Sequence, residues 1–544
     1  MSWKETAKLW ESFEALEEGL KVQLQSMDDT QKEEAFYTPL EFGTAGMRGI
    51  VGPGINRMNT YTVRQATEGL SRLIESYGEE AKKRGVAIAY DSRHFSPEFA
   101  MESARTLATH GIASYVFESL RPTPELSFAV RHLHTFAGIM ITASHNPAAY
   151  NGYKVYGEDG GQMPPKDADA LTAYVRQVVN PLELKVLDDE ALEASGLVTI
   201  IGKDVDDAYL KEIKTVSVNP KLLSDVEGLS VVYTPLHGTG LMLVEKALEQ
   251  ANFKGLHVYA VELGKKVGAD VLLATDPDAD RMGAAVRLPD GSYQVITGNQ
   301  IAAILVDYLL YAHQQAGTLP SNALVVKSIV SSELPTAVAK SYGAEMMNVL
   351  TGFKFIAEQI QHDEETGEHT FMFGFEESYG YLVKSFVRDK DAVQAVLLLT
   401  EVAAHFKNEG KTLYDGLQAL YAKHGYFLEK TISVTVAGLE GPQKIKALLD
   451  GLRSSVPTSF GGLKVALAQD FAVNEQKDAN GVVCEIGLPT SNVLKYILED
   501  ESWIAVRPSG TEPKIKFYIG AKADSEEAAK EKVAALQADL EKLQ

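Results

Sequence analysis

Ser144 sits in the run Thr142-Ala-Ser-His-Asn-Pro-Ala-Ala-Tyr-Asn-Gly-Tyr-Lys154, directly after an apolar stretch that reads as a buried strand. His145, Asn146, Asn151 and Lys154 crowd donors around it, which suits a group carrying nearly two negative charges, such as a phosphate. The blander reading is a turn serine ahead of Asn146-Pro147. A hydrolase nucleophile elbow is excluded, because Thr142 and Asn146 stand where that motif needs glycines. A second run, Thr275-Asp-Pro-Asp-Ala-Asp-Arg281, again follows an apolar strand. Its three carboxylates at alternate positions suit a hard cation with oxygen ligands, and without a cation their convergence costs roughly 4 kcal/mol per pair 4 Å apart near a protein surface. The alternative is a solvated acidic turn with its side chains splayed. An EF-hand is excluded, since Arg281 and Arg287 occupy the positions of its glycine and its last glutamate. A few acidic ligands with open positions fit Mg²⁺ shared with a phosphate.

Two further runs fall at strand ends. In Gly374-Phe-Glu-Glu-Ser-Tyr-Gly380, Glu376, Glu377 and Ser378 are either a solvated polar turn or acceptors for sugar hydroxyls, and Arg388-Asp-Lys-Asp391 follows shortly. In Arg507-Pro-Ser-Gly-Thr-Glu-Pro-Lys-Ile-Lys516, one arginine, two hydroxyls and a glycine backbone make either a plain turn or a compact anion cradle. Glu409-Gly-Lys-Thr412 resembles the end of a P-loop, but His405 replaces its first glycine and the preceding run is helical, so Gly410 reads as a helix C-cap.

These loops need strands to carry them. Val86–Tyr90, Tyr115–Phe117 and Ala137–Ile141 read as strands, with helices opening at Ser96-Pro97 (Ser96 as N-cap) and at Pro124. Leu229–Tyr233, His257–Val261 and Val271–Ala274 repeat the alternation, as do Leu324–Ile329, Glu345–Leu350 and Thr370–Phe373. Alternation of this kind argues for right-handed βαβ units, whose ligands lie beyond the carboxyl ends of the strands. After about Thr431 the alternation lapses into an α+β pattern. The expected fold is therefore α/β: three related mixed or parallel α/β domains plus a C-terminal α+β domain, with a cleft between the four. The boundaries read as an N-terminal helical arm at 1–40, then domains at 41–205, 206–320, 321–428 and 429–544.

With 544 residues, the chain is too long for one core. Seventy-four acidic residues against 52 basic ones give a net charge of −22, a field that repels nucleic acid and anionic membrane surfaces. No apolar run is long enough to span a bilayer, no signal peptide is apparent, and the single cysteine, Cys484, cannot form an internal disulfide. A cytoplasmic monomer or homodimer is expected, without nucleic-acid or membrane partners. An acidic protein that takes a phosphorylated metabolite must gather its basic residues locally.

The four loops, in this order from about Glu41 onward, resemble the α-D-phosphohexomutase superfamily. The resemblance implies that Ser144 carries the transferring phosphate. It implies that Asp276, Asp278 and Asp280 hold one Mg²⁺ with a phosphoserine oxygen of Ser144, and that Glu376 and Ser378 read the sugar. Arg507, Ser509, Gly510 and Thr511 would hold the non-reacting phosphate, and Lys154, Arg48, Lys390 and His145 would serve the chemistry. A phosphorylated sugar is the implied substrate, with a sugar 1,6-bisphosphate as intermediate and activator. The Phe375-Glu-Glu-Ser-Tyr-Gly and Arg388-Asp-Lys-Asp variants are similar to the branch acting on glucose and pentose phosphates. Interconversion of glucose 1-phosphate and glucose 6-phosphate is expected. The alternatives are a pentose- or mannose-phosphate mutase and a non-catalytic sugar-phosphate-binding regulator.

One segment departs from the family pattern. Eight residues, Glu262–Ala269, separate the expected strands His257–Val261 and Val271–Ala274, where a crossover needs at least about ten to twelve. The expectation is a break at Val261–Glu262 or a frayed or displaced strand.

Overall fold

The computed structural model describes residues 2–40, 46–163, 165–258, 261–436, 441–508 and 514–543. The chain forms two compact units. One comprises Met1–Gly283, Ala357–His362 and Gly380–Glu401; the other comprises Ala284–Ile356, Asp363–Tyr379 and Val402–Gln544.

The first unit opens with three helices, Trp3–Ser12, Glu18–Ser26 and Asp29–Phe36. Their apolar residues form a small core: Trp10, Leu20, Leu24 and Phe36 pack with Tyr61 and Leu182. Trp10 meets Phe36 and Tyr61 edge-on, with ring centroids 5.7 and 5.4 Å away. Behind them stands a six-stranded sheet in the order Met47–Ile50, Tyr150–Tyr156, Ala137–Ile141, Val86–Tyr90, Ser114–Phe117, Val198–Ile201. Its last four strands are parallel, and Tyr150–Tyr156 returns antiparallel to Ala137–Ile141. Helices on its faces bury Val86, Ile88, Leu107, Ile112 and Ile139. Ser96 is the first residue of its helix rather than the cap; Phe95 holds the cap position at φ 67°, and the Ser96 hydroxyl donates to Asp91 at 2.9 Å.

In the second layer three strands are parallel, with Val231–Thr234 between Leu256–Val258 and Val271–Thr275. Here the expected break is corrected, while the alternative of a frayed strand is met in part. Val261 and Glu262 are consecutive in one helix, Val261–Val267. The described strand is short, Leu256–Val258, three half-exposed residues, and Val261, read as strand, is helical instead. The parallel order is kept.

In the second unit, Ala323–Ser328 pairs in parallel with Glu345–Val349 and with Thr370–Glu376. The C-terminal sheet begins at Tyr426 rather than Ile432. Tyr426–Thr435 runs antiparallel to Lys514–Ala523 over ten residue pairs, and Trp503–Pro508 lies on the far side of Lys514–Ala523. The helix Glu526–Glu541, capped by Ser525, contributes Val533, Leu536 and Leu540 to this core. Gly410 has φ 70° after the helix Ala392–Asn408, and Thr412 caps the next one, so the P-loop-like residues are a helix-to-helix turn. The fold class is the one expected, three α/β layers and a C-terminal α+β layer. Among the described residues no helix is long and apolar enough to cross a membrane.

Candidate functional site

Ser144 follows the strand Ala137–Ile141 and is 1% exposed. Its backbone is left-handed, φ 52°, a conformation that costs a residue with a side chain of the order of 1–3 kcal/mol. A hydrogen-bonded frame offsets that cost. The Ser144 N–H donates to the Thr142 hydroxyl at 2.8 Å, which in turn donates to Asp91 at 2.6 Å. The Arg93 guanidinium donates to the carbonyls of Ser144 (2.7 Å), Asn146, Pro147 (2.8 Å) and Tyr150 (3.0 Å), and lies 3.3 Å from Asp91. One arginine thus fastens the loop from four directions. The Ser144 Oγ points out of this frame: it donates to Asp276 at 3.0 Å and lies 3.2 Å from His145 Nδ1. Burial, then the charges of Arg281 and Arg48, push the His145 imidazole down to about 4, so it is neutral at neutral pH.

The three aspartates converge. One carboxylate oxygen from each of Asp276, Asp278 and Asp280 lies within 4.8 Å of the others. The turn that brings them together has Ala279 at φ 50°, and the Asp276 carboxylate accepts from the N–H groups of Asp280 (3.2 Å) and Arg281 (3.1 Å). Asp278 is fixed at the start of the helix Thr123–His132, where the Thr123 N–H donates to its carbonyl (2.9 Å) and the Thr123 hydroxyl to its carboxylate (3.0 Å). That end of a helix carries partial positive charge. Burial, then the neighbouring carboxylates of Asp278 and Asp280, raises the Asp276 carboxyl well above its ordinary value. Burial acts the same way on Asp278, but the cations around it, Lys154 first and then Arg48 and Lys390, together outweigh it and hold Asp278 well below the carboxylate range. Among the described residues, Asp278 Oδ1 and Asp280 Oδ1 are buried without a hydrogen-bond partner, with Arg281 Nε 3.5 Å from the latter. Such orphaned oxygens are costly unless something binds them, so the donor set fits a divalent cation with oxygen ligands.

Two lysines flank the triad. Lys154, on the strand Tyr150–Tyr156 opposite Met140, donates to Asp278 at 3.0 Å and is 2% exposed. Lys390 lies 3.1 Å from Asp280 and donates to Asp389 at 2.8 Å. Its loop is set by the Ala392 N–H, which donates to the Ala279 carbonyl at 3.2 Å, and by Gly380, where a Cβ would stand 2.3 Å from the Lys390 chain. Arg48 lies opposite Gly152 in the sheet and donates to the Asn146 side chain at 3.2 Å. Five of the expected chemical residues of this unit (Ser144, His145, Lys154, Arg48, Lys390) therefore surround the three aspartates. Asn151 does not join them: it is buried and donates inward to His94 and Ser96, both at 3.0 Å.

In the second unit, Glu376 ends the strand Thr370–Glu376 and accepts from the Gly352 N–H at 2.8 Å. Glu377 accepts from Ser328 at 3.0 Å, and Ser378 is half-buried in the turn that follows. Arg507 is half-buried at the end of Trp503–Pro508, paired in register with Lys516. It bonds the Tyr518 hydroxyl, which burial, then Glu377, pushes up to about 12. Ser509, Gly510 and Thr511 lie outside the described residues. The sequence reading passed over Asp91, Arg93 and Thr123, and gave Asp389, quoted within its run, no role of its own. Asp91 and Arg93 follow a strand end and Asp389 lies beside the singled-out Lys390, which were the available signals.

The chain matches the family profiles described as phosphoglucomutase/phosphomannomutase alpha/beta/alpha domain I over residues 39–180, alpha/beta/alpha domain III over 297–424, and C-terminal domain over 463–538. It is 39% identical to a phosphoglucomutase of Staphylococcus aureus, covering 94% of this chain and 95% of the relative. Among solved structures, parafusin, a phosphoglucomutase from Paramecium in its open form, superposes with a TM-score of 0.66 at 17% identity, covering 93% of this chain and 94% of that one. The N-acetylphosphoglucosamine mutase of Aspergillus fumigatus, solved with GlcNAc-6P and magnesium, gives 0.52 at 14% identity, covering 93% and 96%.

Proposed function

This chain belongs to the α-D-phosphohexomutase superfamily, and we propose that within it the protein interconverts glucose 1-phosphate and glucose 6-phosphate through a phosphorylated Ser144. The observation that carries the reading is the Ser144 hydroxyl, 3.0 Å from one aspartate of a converging triad and flanked by buried lysines. The 39% identity to a named phosphoglucomutase supports the choice of glucose.

In this reading, the phosphoryl group on Ser144 passes to the free hydroxyl of the sugar phosphate. The Ser144 Oγ–P bond breaks as a bond from the sugar hydroxyl oxygen to phosphorus forms, the hydroxyl losing its proton and the serine oxygen regaining one, to give the 1,6-bisphosphate. The bisphosphate turns over and its other phosphate returns to Ser144. Asp276, Asp278 and Asp280 would hold Mg²⁺, which supplies charge neutralisation for the phosphoryl oxygens. Phosphoryl transfer depends mostly on positioning and electrostatics, so the cationic side chains carry much of the work. Lys154, Lys390 or Arg48 would exchange the proton of the sugar hydroxyl, and Arg48 also donates to the Asn146 side chain. Neutral His145 orients the Ser144 hydroxyl. Glu376 and Ser378 would take the sugar hydroxyls. Arg507, with Ser509, Gly510 and Thr511, would anchor the non-reacting phosphate.

A coupled assay for glucose 6-phosphate formation, run beside mannose and ribose phosphates and with catalytic glucose 1,6-bisphosphate, tests the reading. Turnover on glucose 1-phosphate that stops on chelation is expected. Faster turnover on mannose or pentose phosphate would reassign the substrate. No turnover on any of them, with binding retained, would leave a sugar-phosphate-binding regulator.

A further inference from the structure

The metal triad is partly occupied by the protein's own cations. Lys154 Nζ stands 3.0 Å from Asp278 Oδ2, and Lys390 Nζ stands 3.1 Å from Asp280 Oδ2. All four side chains are nearly out of solvent: 2% and 6% exposed for the lysines, 0% and 2% for the aspartates. In so dry a setting an uncompensated charge is expensive, so an empty triad of carboxylates needs counter-charges of its own. A divalent cation bound there would stand close to both ammonium groups, and like charges at such range repel strongly. The same lysines that make the metal-free protein tolerable therefore oppose the metal.

The two lysines differ in where they can go. Lys390 already shares its ammonium with a second carboxylate, Asp389, at 2.8 Å. Asp389 is 1% exposed and is held by the Tyr156 hydroxyl (2.8 Å) and the Gln162 amide (3.0 Å), both donating to its other oxygen. It is a prepared acceptor, rigid on one side and open to the lysine on the other. Lys154 has no second acceptor within hydrogen-bond distance among the described residues.

We propose that Lys154 and Lys390 are resident counter-cations of the triad, paired with Asp278 and Asp280 in the metal-free protein and exchanged off them when a divalent cation binds, with Asp389 receiving Lys390. Cation affinity is then set by this exchange as much as by the three aspartates, and the lysines are released toward the substrate only once the cation is in place. The inference rests on the metal-binding reading above, deepening it to the control of that site.

Calorimetric titration of the full chain with Mg²⁺, together with melting of the metal-free and Mg²⁺-loaded protein, tests it. Lys154→Met should bind Mg²⁺ about tenfold more tightly than wild type while melting lower without metal, so that Mg²⁺ shifts its melting more. Asp389→Asn should bind Mg²⁺ several-fold more weakly, because Lys390 then leans wholly on Asp280. In a Lys390→Met background the same Asp389→Asn change should have little effect, since the lysine it works through is gone. Weaker Mg²⁺ binding by Lys154→Met would overturn the exchange, and so would an Asp389→Asn loss that persists undiminished without Lys390, which is the mark of a remote charge effect. Should either lysine variant fail to fold, Asp389→Asn alone decides: unchanged or tighter binding contradicts the proposal. Wild-type protein that binds no Mg²⁺ would instead sink the metal-binding reading itself.

Discussion

The Arg507 guanidinium lies at the end of the strand Trp503–Pro508, bonded to the Tyr518 hydroxyl. A charge-assisted hydrogen bond to phosphate is worth roughly 1.5–3 kcal/mol. Arg507→Ala should therefore weaken binding of glucose 1-phosphate about ten- to hundred-fold, read as a dissociation constant, with the melting temperature little changed. Unchanged binding would place the distal phosphate elsewhere. At this scale the sequence was most legible. Aspartates at alternate positions after an apolar strand have few peaceful uses, and the three do converge. Asn151 misled because a donor's type does not disclose its direction: the residue belongs to the frame under the loop, bonded to His94 and Ser96. Asp91 and Arg93 escaped notice because Arg93 works on backbone carbonyls, which every residue has and no motif marks.

Between residues and the whole stand the elements that aim them. The Ser144 loop keeps its left-handed turn largely through Arg93, which gathers the carbonyls of Ser144, Asn146, Pro147 and Tyr150, with Thr142 and Asp91 holding the Ser144 N–H. Arg93→Ala should lower kcat by about a hundredfold, the scale of a 1 Å misplacement, and change KM much less. A KM effect alone would mean that Arg93 meets the substrate instead of the loop. In the second unit Lys495, on the strand Leu494–Leu498, donates to the Ile329 carbonyl at 2.7 Å over the face of Trp503, tying the loop after Ala323–Ser328 to the C-terminal sheet. Burial, then the charge of Lys327, pushes its ammonium from the ordinary 10.5 down to about 7. Between those two values the unfolded chain binds the proton that the folded one refuses, so stability from this group rises with pH across the window; its cost is absent above pH 10.5 and complete by about pH 7. Lys495→Met should be more stable than wild type in urea unfolding near pH 7, with the advantage shrinking as the pH approaches 10. An advantage that grew with pH would reverse the assignment. Element type was legible from alternation, and the end of the strand before Val261 was not. Val258 and Val261 are equally apolar, and only the need for a crossover helix decides which of them is strand.

For the whole molecule, the charge of −22 and the local gathering of cations are two sides of one arrangement. Under the proposed function, a chain whose overall field repels phosphates would admit them at local cations, Arg48, Lys154 and Lys390 in the first unit and Arg507 in the second. The order of the four loops along the chain was readable because each sits at a strand end, where motif and fold reinforce one another. The helices of the N-terminal segment were readable, but their packing partners, Tyr61 and Leu182, were not, because they lie far along the chain. What unites the scales is the claim that a phosphoryl group rides on Ser144 between two positions of a sugar. Wild-type and Ser144→Ala protein should be incubated with glucose 1,6-bisphosphate, digested, and compared by mass before and after excess glucose 1-phosphate is added. The account requires one phosphate on the wild-type peptide containing Ser144, lost to the sugar on the chase, and none on the variant, which should also be inactive. A phosphate carried on another residue, or full turnover by Ser144→Ala, would contradict it.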